Sequence, residues 1–411
     1  MSRHLVTIIG GGPSGLACAT TLAQAGRTDV TVIEREAEAG GIPRHCFHTG
    51  FGWFDLHRIA SGPGYARKRV ALARAAGVTI LTETTALAMG ATNQIVTTSA
   101  RGVQQIPHDA LVLATGCRER PRSARRVPGS RPAGVLTTGA LQQLVYFGHV
   151  PIGRKAVVIG AEHVSYSAVE TLLRGGAQVV AIVTEHRQSQ TYRPFHWLVA
   201  GRRGIALRTC TRIVGIEGRQ RVNAIIVTGP SGLEERIECD TVVFTGDWIP
   251  DYELARTARL PMDPGTLGPT VDGALRTGHP GVFAVGNLVH AAEMADLAAL
   301  GGVRAAGAVA EYLRTGEWRS ETSVPVTVAS PLAWVYPNMI SPGLMAPYGR
   351  YVLRTSAFHD TAWLVARQGD RKLGQVKRRR LVPNRSLHFA AGFEADVDPT
   401  GGPVTINIEE A

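Results

Sequence analysis

The sequence predicts an α/β protein with two parallel-sheet units and a β-rich C-terminal cap. Near the N terminus an apolar strand, a glycine-rich turn and a helix of small residues follow one another, and the same order returns after Lys155. In the last ninety or so residues Pro, Gly and alternating β-formers dominate, which favours a cap built of strands. We therefore expect a first unit in two parts, 1–121 and 246–318, a nested second unit at 150–245, and the cap at 319–411.

The first glycine-rich turn has the spacing and context of a dinucleotide-binding site. It follows a predicted strand at 4–9, precedes a predicted helix at 16–25, and reads Gly10-Gly11-Gly12-Pro13-Ser14-Gly15. Gly10 allows the tight turn, Gly12 lets the backbone approach a pyrophosphate, and Gly15 lets helix and strand pack closely. The helix N terminus then offers N–H groups and a positive dipole end to the phosphates.

An acidic residue completes this predicted site. Glu34 ends the second predicted strand, 19 residues after Gly15. A carboxylate at that distance suits the ribose hydroxyls of an unphosphorylated adenosine half. The alternative, a glycine-rich turn that binds nothing, is disfavoured because strand, helix and acid occur together.

The remaining elements of the first unit follow in order along the chain. A Gly-Gly loop contains Gly41, and a short apolar strand at 110–114 ends in Thr115 and Gly116. That strand has the length and composition of a buried parallel strand. Between these segments we predict a helix at 65–76, a strand at 78–81 and a small meander at 87–106.

The second unit has a degenerate turn. Of the G-x-G-x-x-G pattern only Gly160 remains, since Glu162 and Ser165 replace the other two glycines. A carboxylate beside two phosphates is repulsive by about 1 kcal/mol or more. Together with His163 and with Glu185, a candidate contact for a ribose, this turn forms a second candidate nucleotide site. We expect it to be empty or to hold an adenine nucleotide without redox chemistry, rather than to bind NAD(P)H for hydride transfer.

Composition excludes several classes of protein. The net charge of +11 is spread along the chain, and the basic run 377–380 has no aromatic platform beside it, so nucleic acid is not an expected partner. No apolar stretch of about 18 residues is present, so we expect no transmembrane segment and a cytoplasmic location. Five cysteines without C-x-x-C spacing argue against a disulfide framework and against a zinc or iron–sulfur site within the chain.

A family resemblance rests on four motifs in a fixed order. The first turn, Ala114-Thr115-Gly116, a second βαβ unit and the segment 281–287 together resemble the flavoproteins with two dinucleotide-binding domains, the pyridine nucleotide-disulfide oxidoreductases, over about residues 1–318. The resemblance implies FAD in the first site, with Ala114, Thr115 and Gly116 against it and Gly286 and Asn287 near the ribityl chain. Asn287 stands where the family has aspartate, and its carbonyl can still accept a hydrogen bond.

The redox disulfide of that family is missing. Only Cys46 follows the acid and its Gly-Gly loop, inside Arg44-His45-Cys46-Phe47-His48. Cys46 is a weak catalytic candidate, as a nucleophile near a flavin, although a free cysteine is more often a small packed side chain. Three metal-type side chains within four residues of one loop give poor ligand geometry, so we predict no metal.

Within the family, several segments are similar to the large FAD-binding subunits of heteromeric hydroxyproline, proline, opine and sarcosine-type dehydrogenases. These segments are 41–45, 62–67, 114–120, 161–163 and 286–288. The likeness implies a catalytic flavoprotein partner that oxidises the C–N bond of a small-molecule amino or imino acid, while this chain relays electrons. Because no cysteine follows Cys239, any [2Fe-2S] cluster must lie on a small partner subunit.

Two other functions stay open at this point. The chain could be a stand-alone NAD(P)H-dependent flavin reductase without a redox disulfide, with Cys46 as its thiol, or a non-catalytic scaffold that carries a flavin. Apolar residues of the cap form either a partner-binding surface or the cap's own core, and they are Leu332, Trp334, Tyr336, Met339, Leu344, Met345 and Tyr348.

Overall fold

The structure is a computed structural model that describes residues 3–26, 28–90, 93–291, 293–318 and 323–410. The chain divides into two compact units. The first comprises Met1–Arg44, Thr49–Cys117 and Pro250–Ala411, and the second comprises His45–His48 and Arg118–Ile249. The predicted segments 246–318 and 319–411 thus fall almost entirely in the first unit.

The described part of the chain contains seven α-helices and runs of strands between them. The helices are α1 (Pro13–Ala25), α2 (Gly62–Ala75), α3 (Thr138–Tyr146), α4 (His163–Arg174), α5 (Arg193–Val199), α6 (Glu253–Thr257) and α7 (Ala295–Thr315). The strands up to residue 250 are β1 (His4–Ile9), β2 (Thr28–Ile33), β3 (Thr49–Phe51), β4 (Ala60–Ser61), β5 (Thr79–Leu81), β6 (Thr85–Met89), β7 (Gln94–Ser99), β8 (Gly102–Pro107), β9 (Ala110–Leu113), β10 (Cys117–Glu119), β11 (Val135–Thr137), β12 (Lys155–Ile159), β13 (Gln178–Val183), β14 (Ala206–Arg208), β15 (Arg212–Gly218), β16 (Val222–Thr228), β17 (Glu234–Glu238), β18 (Thr241–Phe244) and β19 (Trp248–Pro250). The later strands are β20 (Val282–Ala284), β21 (Val324–Val328), β22 (Leu332–Tyr336), β23 (Met339–Ile340), β24 (Arg350–Thr355), β25 (His359–Gln368), β26 (Arg371–Leu381), β27 (Leu387–Ala390) and β28 (Val404–Glu410).

The first unit is built on a five-stranded parallel sheet. Its strand order is β20-β9-β1-β2-β5. All four residues of β9 are buried, as expected of a strand covered on both faces of a parallel sheet. The core gathers the apolar side chains of this sheet, of α1 and of α7. The carboxyl ends of β1, β9 and β20 meet at one edge, which is where an open parallel sheet binds ligands.

Helices α1 and α7 approach each other closely in the first unit. A Cβ at Gly302 of α7 would lie only 2.0 Å from the carbonyl oxygen of Ser14 of α1. Only glycine permits this backbone distance. The contact holds α1 with its N-terminal end at the first glycine turn.

The second unit repeats the same architecture with its own parallel sheet. The strand order is β11-β18-β12-β13-β14, and α4 connects β12 to β13. Antiparallel meanders complete both units, β6–β8 in the first and β15–β17 in the second. The two Rossmann-like sheets confirm the α/β fold class predicted from the two strand–turn–helix patterns.

The C-terminal region is β-rich, as predicted. Its two sheets have the orders β23-β21-β28-β25-β26 and β22-β24-β27, and their inward side chains form a separate apolar core. The first predicted positions of the cap, 319–322, lie outside the described residues. The basic run 377–380 lies on β26 at the edge of its sheet, where charged side chains hinder pairing with another chain.

The apolar residues of the cap, for which the sequence left a partner surface and the cap's own core as alternatives, are mostly interior. Leu332 and Tyr336 are buried, and Trp334, Met339 and Leu344 are partly buried. Only two of the seven side chains, Met345 and Tyr348, are exposed. Most of these apolar side chains therefore pack inside the protein, and two of the seven remain exposed for a partner.

Some boundaries differ from the predicted ones. Helix α2 begins at Gly62 rather than at residue 65, because the Ser61 side chain accepts a hydrogen bond from the Gly64 N–H and Pro63 occupies the first turn. Helix α7 begins at Ala295, with Met294 as its N-cap. None of the helices in the described part of the chain is long and apolar enough to cross a membrane.

Candidate functional site

The first glycine turn is open on the side where a pyrophosphate is expected. Gly12 is the N-cap of α1, Pro13 follows it, and among the described residues no side chain caps this helix. A Cβ at Gly12 would meet its nearest described atom, the Gly41 Cα, at 4.0 Å. The uncapped N–H groups and the free space in front of Gly12 fit a phosphate group.

The other glycines of the turn are required by the protein itself. Gly10 has φ 109°, and a Cβ there would lie 2.3 Å from the Ala114 carbonyl oxygen. A Cβ at Gly15 would lie 2.0 Å from the Gly10 carbonyl oxygen. The turn therefore packs against the end of β9, which brings Ala114 to the predicted site.

The Gly-Gly loop lies directly against the turn. The Gly40 N–H donates to the Gly11 carbonyl at 2.7 Å. A Cβ at Gly41 would lie 2.9 Å from the Gly12 Cα, and Gly41 has φ 64°. Gly41 thus lines the same open space as Gly12, as its place in the predicted site requires.

The Glu34 carboxylate is buried and already holds part of the loop. Its Oε2 accepts from the Gly11 N–H at 3.0 Å, and its Oε1 accepts from the Glu36 N–H at 2.9 Å. A carboxylate has about four acceptor positions, so two remain for ribose hydroxyls. Glu34 fits the predicted ribose contact and also fixes the turn.

Thr115 and Gly116 continue from β9 and are tied to a later segment of the same unit. The Thr115 hydroxyl donates to the Asp251 carbonyl at 2.7 Å, and the Asp251 N–H donates to the Gly116 carbonyl at 2.9 Å. Gly116 has φ 75°, which favours glycine. These bonds fix the backbone that follows β9.

Gly286 and Asn287 lie at the end of β20. A Cβ at Gly286 would lie 2.3 Å from the Ser14 Oγ, so this glycine brings the two motifs together. The Asn287 Oδ1 accepts from the Glu293 N–H at 2.9 Å, and its Nδ2 donates to the Glu293 carbonyl at 3.1 Å. Asn287 therefore closes the loop that leads to α7, and its Oδ1 keeps one lone pair for a further donor.

The second glycine turn is closed by its own side chains. The Ser165 Oγ accepts from the Glu162 N–H at 3.1 Å and donates to the Glu162 Oε2 at 2.9 Å. The Thr245 Oγ1 lies 2.6 Å from the Ser165 Oγ and 3.2 Å from the Glu162 Oε2. The N-terminal end of α4 is thus occupied by a carboxylate and two hydroxyls of the chain.

Burial dominates the electrostatics of Glu162. It raises the pKa of the Glu162 carboxyl above its usual range, while hydrogen bonds from Ser165 and Thr245 and the charge of Arg125 oppose this rise. The Arg125 guanidinium donates to the Thr245 and Gly246 carbonyls at 2.8 and 2.9 Å. The Glu162 carboxylate thus lies against the Ser165 and Thr245 hydroxyls, with the Arg125 charge close enough to act on it.

The three other predicted residues of the second site make their own contacts or are exposed. The Gly160 N–H donates to the Val183 carbonyl at 2.8 Å, as Gly10 does to Ile33 at 2.9 Å. By this equivalence Thr184, which is buried, takes the position of Glu34, and the exposed Glu185 lies one residue beyond it. His163 is exposed, and its Nδ1 lies 2.5 Å from the Thr191 Oγ1.

Cys46 lies in a buried polar cluster of the second unit. Its thiol donates to the Gln142 Oε1 at 3.5 Å, and the His45 Nδ1 lies 3.0 Å from the same oxygen. Burial, with a smaller effect from Glu119, raises the pKa of Cys46 to about 12. The group is therefore a protonated thiol at neutral pH, the less reactive form.

Sequence reasoning missed two residues that organise the site. Gly302 sets the distance between α1 and α7. Asp296, in the first turn of α7, is buried and accepts from the Gly52 and Phe54 N–H groups at 2.9 and 3.0 Å. An acid in a first helical turn is a visible signal of a helix start, but the loop that it would hold is not visible in the sequence.

A comparison with family models identifies the family. Residues 4–303 match the model of the pyridine nucleotide-disulphide oxidoreductases, so the chain belongs to this family. It is an oxidoreductase-family protein, and the family implies binding of FAD and NAD(P). The family-level resemblance stated from the four motifs is thereby confirmed.

Curated relatives are similar at low identity and over different shares of their length. A ferredoxin–NADP reductase of Ignicoccus hospitalis is 25% identical over 76% of this chain and 98% of its own length. The alpha subunit of a sarcosine oxidase from a Corynebacterium species is 26% identical over 81% of this chain and 35% of its own length. One subunit of the opine oxidase of Agrobacterium tumefaciens is 25% identical over 77% of this chain and 67% of its own length.

Solved structures agree on the fold. The thioredoxin reductase of T. acidophilum superposes with a TM-score of 0.63 at 17% identity, covering 77% of this chain and 100% of that one. At this identity the likeness concerns the fold alone.

Proposed function

We propose that this chain is the FAD-binding subunit of a heteromeric dehydrogenase that oxidises an amino or imino acid of the hydroxyproline, proline, opine or sarcosine type. One observation carries the proposal: the first turn is open in front of Gly12, whereas the second is filled by the Glu162 carboxylate. A chain with an open flavin site and a closed nicotinamide site needs another source of electrons. The sarcosine and opine oxidase relatives are named as subunits, which agrees with a partner.

FAD would be held by the residues around the first turn. Gly12 and Gly41 line the open space, and the Ser14 side chain lies against Gly286. Glu34 offers acceptors to the ribose, and Asn287 keeps an acceptor beside Gly286. The bound flavin would supply the two-electron carrier. A catalytic flavoprotein partner would oxidise the C–N bond, and a small partner subunit would carry any [2Fe-2S] cluster. The cytoplasmic location stays a prediction of composition.

The experiment is anaerobic flavin reduction followed by absorbance. NADH or NADPH is added to the purified chain, and proline, hydroxyproline or sarcosine is added to the chain co-purified with polypeptides from neighbouring genes. We expect slow bleaching with either nicotinamide and rapid bleaching with one of the amino or imino acids. Rapid bleaching of the isolated chain by a nicotinamide would overturn the proposal.

Rapid bleaching of the isolated chain by a nicotinamide would instead indicate an alternative function, a stand-alone NAD(P)H-dependent flavin reductase. It is supported by the ferredoxin–NADP reductase of Ignicoccus hospitalis, which this chain matches over 98% of the relative's length. The high pKa of Cys46 makes a thiol-based version of this alternative less favourable. If neither type of reductant bleaches a bound flavin, the scaffold function remains.

A further inference from the structure

Six large apolar side chains are exposed around the first turns of α7. Their exposed fractions lie between 49 and 62%. They are Trp53, Phe54, Ile59, Met294, Met345 and Tyr348, and they are called the α7 patch below. Since an aromatic side chain presents about 150–250 Å², the three half-exposed aromatic members alone expose roughly 300 Å². Patches of that size on a soluble protein are often binding sites.

Backbone hydrogen bonds bring the members of the α7 patch together. Asp296 accepts from the Gly52 and Phe54 N–H groups, which places the loop of Trp53 at the first turn of α7, beside Met294. The Tyr348 hydroxyl donates to the carbonyl of Leu300, one helical turn further along. Residues four apart share one face of a helix. The loop and the cap residues therefore border the same stretch of α7.

The loop that carries the aromatic residues is fixed. The Gly52 carbonyl accepts from the Leu56 and Arg58 N–H groups at 3.1 and 3.0 Å, which closes the loop on itself. Beneath it the Asp55 carboxylate, fully buried, pairs with Arg69 and accepts from the Tyr65 hydroxyl at 2.5 Å. A loop whose backbone is already held loses little freedom on binding, which favours the aromatic residues that it carries as interface anchors.

The exposed charges beside the α7 patch are mainly positive, since the nearby Glu293 and Glu394 are partly buried and accept hydrogen bonds from the Ser386 hydroxyl and the Ala346 N–H. Between residues 39 and 82 the sequence has one acid, Asp55, and it is buried in its ion pair. Arg58, Arg67 and Lys68 are exposed on the loop and on α2. A second copy of this chain, with a net charge of +11, would bring like charges together at such a surface. An acidic rim on the partner would complement it.

We infer that the α7 patch is the docking surface for a separate protein chain that presents an apolar patch bordered by carboxylates. This inference rests on the proposed function and deepens it, since it assigns the place where the catalytic flavoprotein partner binds. Helix α7 follows the Gly286–Asn287 turn after a short loop that Asn287 holds through Glu293, so a partner on this surface would lie next to the predicted flavin site. Electron relay between two flavins requires such proximity.

The test uses the full chain co-expressed with the polypeptides of its neighbouring genes. The variant Trp53→Glu/Ile59→Glu is compared with the control Trp197→Glu/Leu233→Glu, which places two carboxylates at exposed apolar positions of the second unit. Complexes are measured by size-exclusion chromatography with light scattering and by titration. We expect the wild type and the control to form the complex, and the α7 variant to bind about 100-fold more weakly. Binding should also weaken as salt rises.

Other outcomes decide against this surface. Unchanged binding by the α7 variant, or co-elution with no neighbour-encoded polypeptide, would overturn the inference. A homodimer, or binding to phosphatidylserine–phosphatidylcholine vesicles, that is lost in the α7 variant would assign the patch to another occupant and overturn it too. Thermal unfolding and flavin content of the variant check its folding.

Failure of the docking surface and failure of the proposed function are distinguishable. A complex that is lost in the α7 variant but oxidises no amino or imino acid leaves the surface standing and removes the function. If the α7 variant still oxidises the amino or imino acid together with its partner, the proposed function stands and the docking surface is wrong.

Discussion

The two glycine turns have the same backbone and opposite contents. Gly12 (φ −81°, ψ −174°) and Glu162 (φ −82°, ψ −179°) occupy equivalent N-cap positions. Gly10 and Gly160, at the start of each turn, have φ 109° and 122°. The comparison shows that one scaffold carries two different surroundings at the N-cap, free space at Gly12 and a carboxylate with two hydroxyls at Glu162, so side chains rather than the βαβ scaffold set the space available to a phosphate.

The Glu162 side chain, at the second N-cap, also explains why two neighbouring positions, 160 and 246, are glycines. A Cβ at Gly160 would lie 2.9 Å from the Glu162 Oε2, and a Cβ at Gly246 would lie 2.5 Å from the Glu162 Oε1. Both positions leave room for the carboxylate rather than for a nucleotide. The first turn instead keeps its free space in front of the N-cap.

The largest expected effect concerns the helix pair that supports the open turn. Gly302→Ala places a methyl 2.0 Å from the Ser14 carbonyl oxygen and should lower the free energy of unfolding by about 3 kcal/mol. Gly301→Ala is the matched control, because no described atom outside the helix backbone lies within 4 Å of a Cβ built at Gly301. This substitution should stabilise α7 by up to about 1 kcal/mol. Urea denaturation measures both. Equal stabilities would show that the α1–α7 contact is not tight.

Opening the second turn should change nucleotide binding. Glu162→Gly removes the carboxylate, so NADH affinity should rise by about fivefold, which corresponds to about 1 kcal/mol of lost repulsion. Fluorescence titration of NADH measures it. Glu185→Gln, at the exposed position beyond Thr184, tests the predicted ribose contact, and we expect no change. A lower NADH affinity in Glu185→Gln would support the predicted contact between Glu185 and the ribose.

These comparisons separate what the sequence predicts from what it does not. The open turn was predictable, because Gly10, Gly12, Gly15 and Glu34 have a spacing with a physical meaning for each residue. The fold class followed from the repeat of that pattern. At the second turn the sequence showed that Glu162 replaces a glycine, but not where its carboxylate points.

Long-range contacts set the limits of prediction. The direction of the Glu162 carboxylate depends on Thr245 and Arg125, which are distant in sequence and reach the turn only in the folded sheet. The apolar residues of the cap were ambiguous for a similar reason, since burial of Leu332 and exposure of Tyr348 depend on which strands pair. Asp296 was not singled out because its partners, Gly52 and Phe54, lie in a loop more than two hundred residues earlier.

A smaller effect is expected in the pH dependence of stability. Because burial raises the pKa of Glu162, the folded state holds its proton more tightly than the unfolded state, and the stability from this site is lost as pH rises through the folded pKa. Relative to Glu162→Gln, the wild type should therefore lose thermal stability from acidic toward neutral pH. The exposed Glu234→Gln is the control. A difference between wild type and Glu162→Gln that grows in favour of the wild type with rising pH would contradict burial as the dominant cause.

The smallest effect is expected at Cys46. With its pKa raised to about 12 by burial, this thiol should resist alkylation by iodoacetamide at neutral pH, whereas the exposed Cys210 should react. Mass spectrometry of the labelled chain distinguishes the two. Cys46→Ser should leave flavin reduction unchanged. Rapid labelling of Cys46 together with loss of reduction in Cys46→Ser would favour the thiol-based reductase.

The most direct measurement of the open-turn account is the flavin content of Gly12→Val. Gly12 has an extended backbone conformation that any residue can adopt, and a new Cβ would lie 4.0 Å from the Gly41 Cα. The chain should therefore fold, and the valine side chain should fill the space predicted for the phosphate. Gly307→Val, on α7 with no described atom within 4 Å, is the control. We predict folded, colourless Gly12→Val and normally coloured Gly307→Val, by absorbance and circular dichroism. A folded Gly12→Val with a full complement of FAD would contradict the assignment of the first turn.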